Sequence, residues 1–415
     1  GFALICTQLT LSSASAQTIE PSEQTIQQAA TLFEQGVAAA DKGDFQQAIH
    51  NFTQVIALNP NDAQAYYNRG NAYGNLKDYS SAIRDYTQAI ALKPNDAQAY
   101  SRRGIAYYNL KDYSSVIRDY TQVIALNPND ADAYVRRGIA YNLLKDDSSA
   151  IRDYNQAIAL NPNDADMYFC RGIAYYNLKD HSSAIRDYTQ AIALNPNLAQ
   201  AYYNRGTAYD DLKDYSSAIR DYTQAIALDP NKAEAYYNRG NAYSELKDHS
   251  SAIRDYTQAI ALNPNLAQAY YNRGTAYDDL KDYSSAIRDY TQAIALDPNK
   301  AEAYYNRGLA YINLKDHSSA IRDYTQAIAL DPNKAEAYYN RGNAYSELKD
   351  YSSAIRDYTQ AIFLNPNLAQ AYNNRAVSLA LKNDYRSATR DARKACSLGD
   401  CGMLELLGNN GWLRD

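Results

Sequence analysis

AQAYYNRGTAYDDLKDYSSAIRDYTQAIALDPNK, residues Ala199 to Lys232, returns letter for letter at Ala267 to Lys300. Near copies fill almost everything between residues 29 and 402. Prolines mark the beat, from Pro60, Pro94 and Pro128 in steps of 34 residues to Pro366. A fixed period of roughly 20–50 residues is the mark of a solenoid or similar array, in which no copy can bury its apolar face without a neighbour. With Ala199 as position 1, the spacing predicts one helix over positions 1–14 and a second over 17–30, each about 21 Å long at 1.5 Å per residue. Asp214 is placed to cap the second helix, because its carboxylate can accept orphan backbone N–H bonds. Asn-Pro-Asn or Asp-Pro-Asn then breaks the chain before the next copy, since proline cannot continue a helix.

Small residues hold fixed places: Gly206 at position 8, Ala218 at 20 and Ala225 at 27. They let two helix backbones approach closely. Tyr202, Tyr209 and Tyr222, at positions 4, 11 and 24, fill the space beside them. Of the 42 tyrosines, 28 fall at these three packing positions. The pattern resembles the tetratricopeptide repeat, over eleven copies from Ala29 to Gly402. The resemblance implies an all-α, right-handed α-solenoid of helix-turn-helix units. Two positions depart from the family: position 7, usually leucine, is arginine from Arg69 to Arg375, and position 15, usually glycine, is lysine, as in Lys213.

Length alone, at 415 residues, would suggest two or three domains. The repeats make one elongated array the better description. A net charge of −6 argues against binding nucleic-acid phosphates. No apolar run approaches the ~20 residues of a membrane span.

Residues 1–16, GFALICTQLTLSSASA, combine a short apolar run with Ala14-Ser15-Ala16, and read as the end of a truncated secretory signal peptide. That reading predicts export, to a bacterial periplasm or beyond; without it the chain would be cytoplasmic. Residues 17–28 form a polar extension in which Pro21-Ser22-Glu23 signals a helix start. Copies two to five, 63–198, have drifted, whereas copies six to ten, 199–368, are almost interchangeable. Copy eleven, 369–402, departs from the pattern: Ala376 replaces the glycine and Asp400 the proline. Residues 403–415 open with Met403-Leu404-Glu405-Leu406-Leu407, a short apolar helix expected to cap the last open interface. Cys396 and Cys401 flank the final turn of copy eleven and would pair in an oxidising compartment, with Cys170 left over.

Nothing supports catalysis or a cofactor: there is no P-loop, HExxH, Gly-x-Ser-x-Gly or dinucleotide glycine signature. His181, His249 and His317 occupy position 17 of alternate copies and read as surface helix starts, too far apart to share a metal. Arg at position 7 and Asp at position 23 occur together in copies two to eleven, for example Arg239 with Asp255. Copy one lacks both and carries Gln35 and Asn51. The resemblance places the two positions on facing helices, so an ion pair within each repeat is expected.

The functional signal lies on the first helix. In the family, positions 2, 5, 6, 9, 12 and 13 line the concave face. Position 6 here carries Asn68, Arg102, Arg136, Cys170, Asn204, Asn238, Asn272, Asn306, Asn340 and Asn374. This is similar to the asparagine ladder of superhelical members that grip extended peptides, and a carboxamide offers both donor and acceptor to a peptide backbone. Position 5 adds Tyr67, Tyr203, Tyr237, Tyr271, Tyr305 and Tyr339, rigid contact surfaces with a polar tip. Arg102 and Arg136, with Tyr108, make the early face basic. Asp210, Asp211, Glu245, Asp278, Asp279 and Glu347 make the later face acidic. The carboxylate clamp of chaperone-binding members is not reproduced, because position 5 is tyrosine where that clamp needs lysine. The expectation is a non-enzymatic scaffold that binds a protein or peptide partner in the concave groove. The alternative is a self-associating assembly protein, and RNA binding is disfavoured by the acidic balance.

Overall fold

The computed structural model describes residues 22–413. The described residues form helices joined by short turns, with no strand among them. The repeat unit is constant. In copy two the first helix runs Ala63–Asn75 and the second Tyr79–Leu92, which are positions 1–13 and 17–30. Copy six repeats this at Ala199–Asp211 and Tyr215–Leu228. The chain divides into two compact units, Gly1–Asp180 and His181–Asp415. Within each, first helices pack on the second helix of the same copy, and second helices on the first helix of the next copy.

Three local features set this geometry. Asp at position 16 caps the second helix: Asp214 accepts from the Ser217 backbone N–H at 3.1 Å. Its Ser217 neighbour in turn accepts from Arg220 Nη2 at 2.8 Å. The residue before the cap turns the chain in the left-handed region, with φ near +61° at Lys213 and +79° at Gly43 of copy one. At position 8 the helices meet most closely: a Cβ on Gly206 would lie 3.0 Å from the ring of Tyr222, which is fully buried.

The Arg–Asp pair is present and is bidentate. Arg239 Nε and Nη2 donate to the two Asp255 carboxylate oxygens at 2.7 and 2.8 Å. Such pairs recur from Arg69–Asp85 to Arg375–Asp391. The third edge of the fork reaches back one copy, where Arg239 Nη1 donates to Thr223 Oγ1 at 2.9 Å. Each arginine also lies over the tyrosine three residues before it, as Arg239 does over Tyr236 at 5.7 Å. The pair therefore ties helices within a copy and successive copies together. In copy one Asn51 is instead buried and accepts from Gln47.

The ends differ from the expectation in detail. Ser22 caps a helix spanning Glu23–Asp41, the start that Pro21-Ser22-Glu23 signals, and this helix runs unbroken into copy one. The leader expected at residues 1–16 lies outside the described residues. At the other end Ala376 is compensated, because position 24 of the same copy is Ala392 and not tyrosine. The volume lost there is refilled by Met403 and Leu407 of the short helix Gly402–Asn409, both buried against Ala376, Ala388 and Ala392. Cys396 and Cys401 are joined as a disulfide beside this cap, with Cα atoms 4.0 Å apart. Cys170 is free.

Candidate interaction face

Five of the position-6 asparagines do not stand as open donors, because each is joined to the preceding copy. Asn238 Nδ2 donates to the Tyr203 hydroxyl at 3.0 Å, and Asn272, Asn306, Asn340 and Asn374 do the same to Tyr237, Tyr271, Tyr305 and Tyr339 at 2.9–3.2 Å. Asn272 is fully engaged, since it also donates to Asn241 Oδ1 at 2.9 Å and accepts from Gln268 at 2.8 Å. Asn204 accepts from Gln200 at 2.8 Å and Asn68 from Gln64 at 3.3 Å.

The position-5 tyrosines are equally occupied. Tyr67, Tyr203, Tyr237, Tyr271, Tyr305 and Tyr339 each stack on the position-24 tyrosine of their own copy, with ring centroids 5.8–6.0 Å apart. Lys232, Lys300 and Lys334 lie over Tyr203, Tyr271 and Tyr305 at 4.1, 4.4 and 4.7 Å. The ladder is thus a Tyr–Asn seam between copies. These groups are half-buried, and the seam makes rigid the surface on which a partner would lie.

What remains open lies between the seams. A cavity recurs at the junction of successive first helices, lined by positions 9 and 12 of one copy and 6 and 9 of the next. In the first unit one such cavity, about 370 Å³, is lined by Asn71, Gly74, Arg102 and Ile105, and another, about 220 Å³, by Ile105, Tyr108, Arg136 and Ile139. In the second unit the corresponding cavities hold Asp210, Asn241, Asn272 and Thr275 in about 550 Å³, and Ile312, Asn343, Asn374 and Val377 in about 580 Å³. Positions 9 and 12 thus contribute as much as the ladder does. Their variation between copies, from Asn71 to Ile105 to Thr275, was the signal in the sequence.

The charge pattern is uneven. Arg136 is answered by Asp132 on its own helix, Nε to Oδ2 at 2.5 Å, so it adds little net charge. Arg102 is exposed, and among the described residues it has no ion-pair partner. In the second unit, burial, helped by the Asp211 and Glu245 carboxylates, pushes Asp210 up to about 6. Burial and then Asp279 raise Asp278. The histidines do start their helices, but two of them are not at the surface. Side chains of His181 and His249 are about 15% and 14% exposed, and their Nδ1 atoms face Asp211 and Asp279 of the next copy at 3.7 and 3.4 Å. Burial pushes the Cys170 thiol up to about 11, with Asp166 and Asp164 adding to it, so it is not a thiolate nucleophile at neutral pH. Among the described residues no group of His, Cys, Asp and Glu is placed to hold a metal ion, and no helix is long and apolar enough to cross a membrane.

Tandem helix pairs, a 34-residue beat and glycine-on-aromatic contacts meet the tetratricopeptide repeat profile at 63–96, 97–130 and six further copies from 165 to 368. A second TPR repeat profile matches 36–77 and 140–179. The chain belongs to the tetratricopeptide repeat family. Proteins of this family bind protein partners and are in general non-catalytic scaffolds, and this chain is a protein-interaction scaffold in that sense. A crystal structure of MamA is 30% identical over 41% of this chain and 94% of its own, with a TM-score of 0.40. YrrB, described as a TPR protein with an unusual peptide-binding site, is 24% identical over 47% of this chain and 97% of its own, with a TM-score of 0.42. The C-terminal part of a TPR repeat-containing protein from Cytophaga hutchinsonii is 23% identical over 57% and 97%, with a TM-score of 0.51, and shares the fold. No curated protein sequence matches the chain.

Proposed function

We propose that the first-helix face of this scaffold holds an extended segment of a partner protein. The recurrence of such a cavity at four places along this face, at the same repeat positions, carries the reading. Cavities of about 220–580 Å³ at helix-pair intervals suit a chain that presents successive side chains, not a single compact ligand. The seam holds the walls in place before binding, which lowers the ordering cost of association. Export remains part of the proposal. The disulfide beside the cap fits an oxidising compartment, and a thiol count on denatured, unreduced protein from the host would give one free thiol, that of Cys170, in the described part.

The test places a photo-crosslinking residue at Ser244, on the first-helix face, or at Gln224, exposed on a second helix. Each variant is irradiated in extract of the source organism. Partner crosslinks from Ser244 and not Gln224 are expected. Crosslinks from Gln224 alone would overturn the reading.

A further inference from the structure

The two cavities at the junctions of copies two to four differ from those of the second unit, and the cause is local sequence. In copies two and six to ten, a position-5 tyrosine covers the position-24 ring. In copies three and four that position is Ser101 and Val135. Without the covering ring, Tyr120 turns its hydroxyl to the Ser101 carbonyl at 3.3 Å, and the cavity of about 220 Å³ opens beside it. Its walls are Ile105, Val116 and Ile139, with Arg136, held by Asp132, on one side and Tyr108 at the rim, 44% exposed. This volume is below the roughly 300–1,000 Å³ of small-molecule pockets and suits one apolar side chain.

The adjoining cavity shares Ile105 and has opposite chemistry. It is lined by Arg102, Asn71, Asn75, Tyr79 and Asn109, without a carboxylate. Asn71 Oδ1 already accepts from the Tyr86 hydroxyl at 2.9 Å, which leaves its N–H groups to donate. Asn75 and Asn109 spend a donor each on their own helix carbonyls. The lining is therefore rich in donors around one cation with no ion-pair partner. A planar guanidinium in that setting matches a carboxylate with two parallel bonds.

Resting on the reading of the first-helix face, we propose that copies two to four form the specificity site of the scaffold. It recognises a peptide carrying a carboxylate next to an aliphatic or aromatic residue. The carboxylate meets Arg102 and Asn71, and the apolar side chain enters the cavity beside Tyr120. The near-identical copies, whose carboxamides from Asn238 onward are committed to the seam, serve as the less selective part of the face.

The repeats supply their own control. Ser101→Tyr with Arg102→Asn rewrites copy three to the Tyr67-Asn68 of copy two, so the variant is expected to fold, as checked by its thermal midpoint. Random dodecapeptides displayed on phage are selected on the full chain, and the enriched peptides are synthesised. They should pair Asp or Glu with a nearby Leu, Ile, Phe or Tyr. Affinity should fall at least tenfold on the double variant, and on Arg102→Glu the selection should turn to Lys or Arg. Enriched peptides without an acid, or unchanged affinity on the double variant, would overturn the site. Peptides that bind and crosslink only to copies six to ten would sink this site and leave the first-helix face standing. Peptides that crosslink only to second helices would remove both.

Discussion

Position 15 shows at single-residue scale how far this sequence has moved from its family's usual solution. Lys77 through Lys349, and Asn383 in copy eleven, all sit at φ near +61° to +66°. A side chain there costs about 1 kcal/mol relative to glycine, which explains why glycine is the usual residue and why copy one keeps Gly43. Lys213→Gly should therefore stabilise the array. The gain is expected to be below about 1 kcal/mol, because glycine also enlarges the entropy of the unfolded chain. Urea denaturation of the single variant and of a triple variant with Lys247 and Lys281 should show the midpoint rising with each change; a fall would mean the lysines make contacts that outweigh the strain. The Arg239–Asp255 pair was legible because both residues persist in the drifted copies. Its third bond, to Thr223, was not, since nothing in a one-copy reading reaches across the junction. A double-mutant cycle with Arg239→Ala and Asp255→Asn should give a coupling of about 1–3 kcal/mol. Arg239→Ala alone should cost more than the coupling, as it leaves Asp255 buried and unpaired.

At the scale of elements, helix limits were readable from proline, the Asp caps and the period, and the first helix ends one residue earlier than expected. The seam was not readable in the same way. Tyr203 and Asn238 are 35 residues apart, and their hydroxyl and carboxamide looked like free functional groups until the copies were stacked. Copy eleven held a clue that could have been used: Ala376 and Ala392 change together, and the apolar run after Gly402 supplies what they remove. The cap helix should then matter more than its eight residues suggest. Leu407 is fully buried, and Leu407→Ala is expected to cost about 2–5 kcal/mol at this end. Hydrogen exchange should show faster amides in Tyr385–Ser397 with little change in copies six to eight. Reducing Cys396–Cys401 should act on the same helix, by about 2 kcal/mol from loop closure over so short a span. If Leu407→Ala instead speeds exchange evenly through copies six to eleven, the cap is not a local lid and the repeats unfold as one.

For the whole molecule, carboxylates of two kinds pull stability in opposite directions with pH. The caps Asp78, Asp146, Asp214, Asp248, Asp282, Asp316 and Asp350 are held below the ordinary aspartate range by the Ser hydroxyl and backbone N–H they accept. In Asp384 the backbone bond leads. Such groups bind protons less tightly in the folded chain than in the unfolded one. Their contribution is present above the unfolded pKa near about 3.9 and is lost as pH falls through their lower folded values. Asp210 is the reverse: raised to about 6, it takes up its proton more readily when folded, so acidification from neutrality towards about pH 4 stabilises. Asp278 acts in the same direction. The two effects occupy different pH windows, so they do not cancel. The thermal midpoint should climb from pH 7.5 to about pH 5 and then drop below about pH 4. Asp210→Asn should raise it at pH 7.5 by the equivalent of about 1 kcal/mol, a figure reduced for the half-exposed side chain, and should flatten the upper arm. A midpoint that falls steadily from pH 7.5 to 5 in the parent chain would show that the acidic junctions are relieved by solvent, and that the caps alone govern the response to acid.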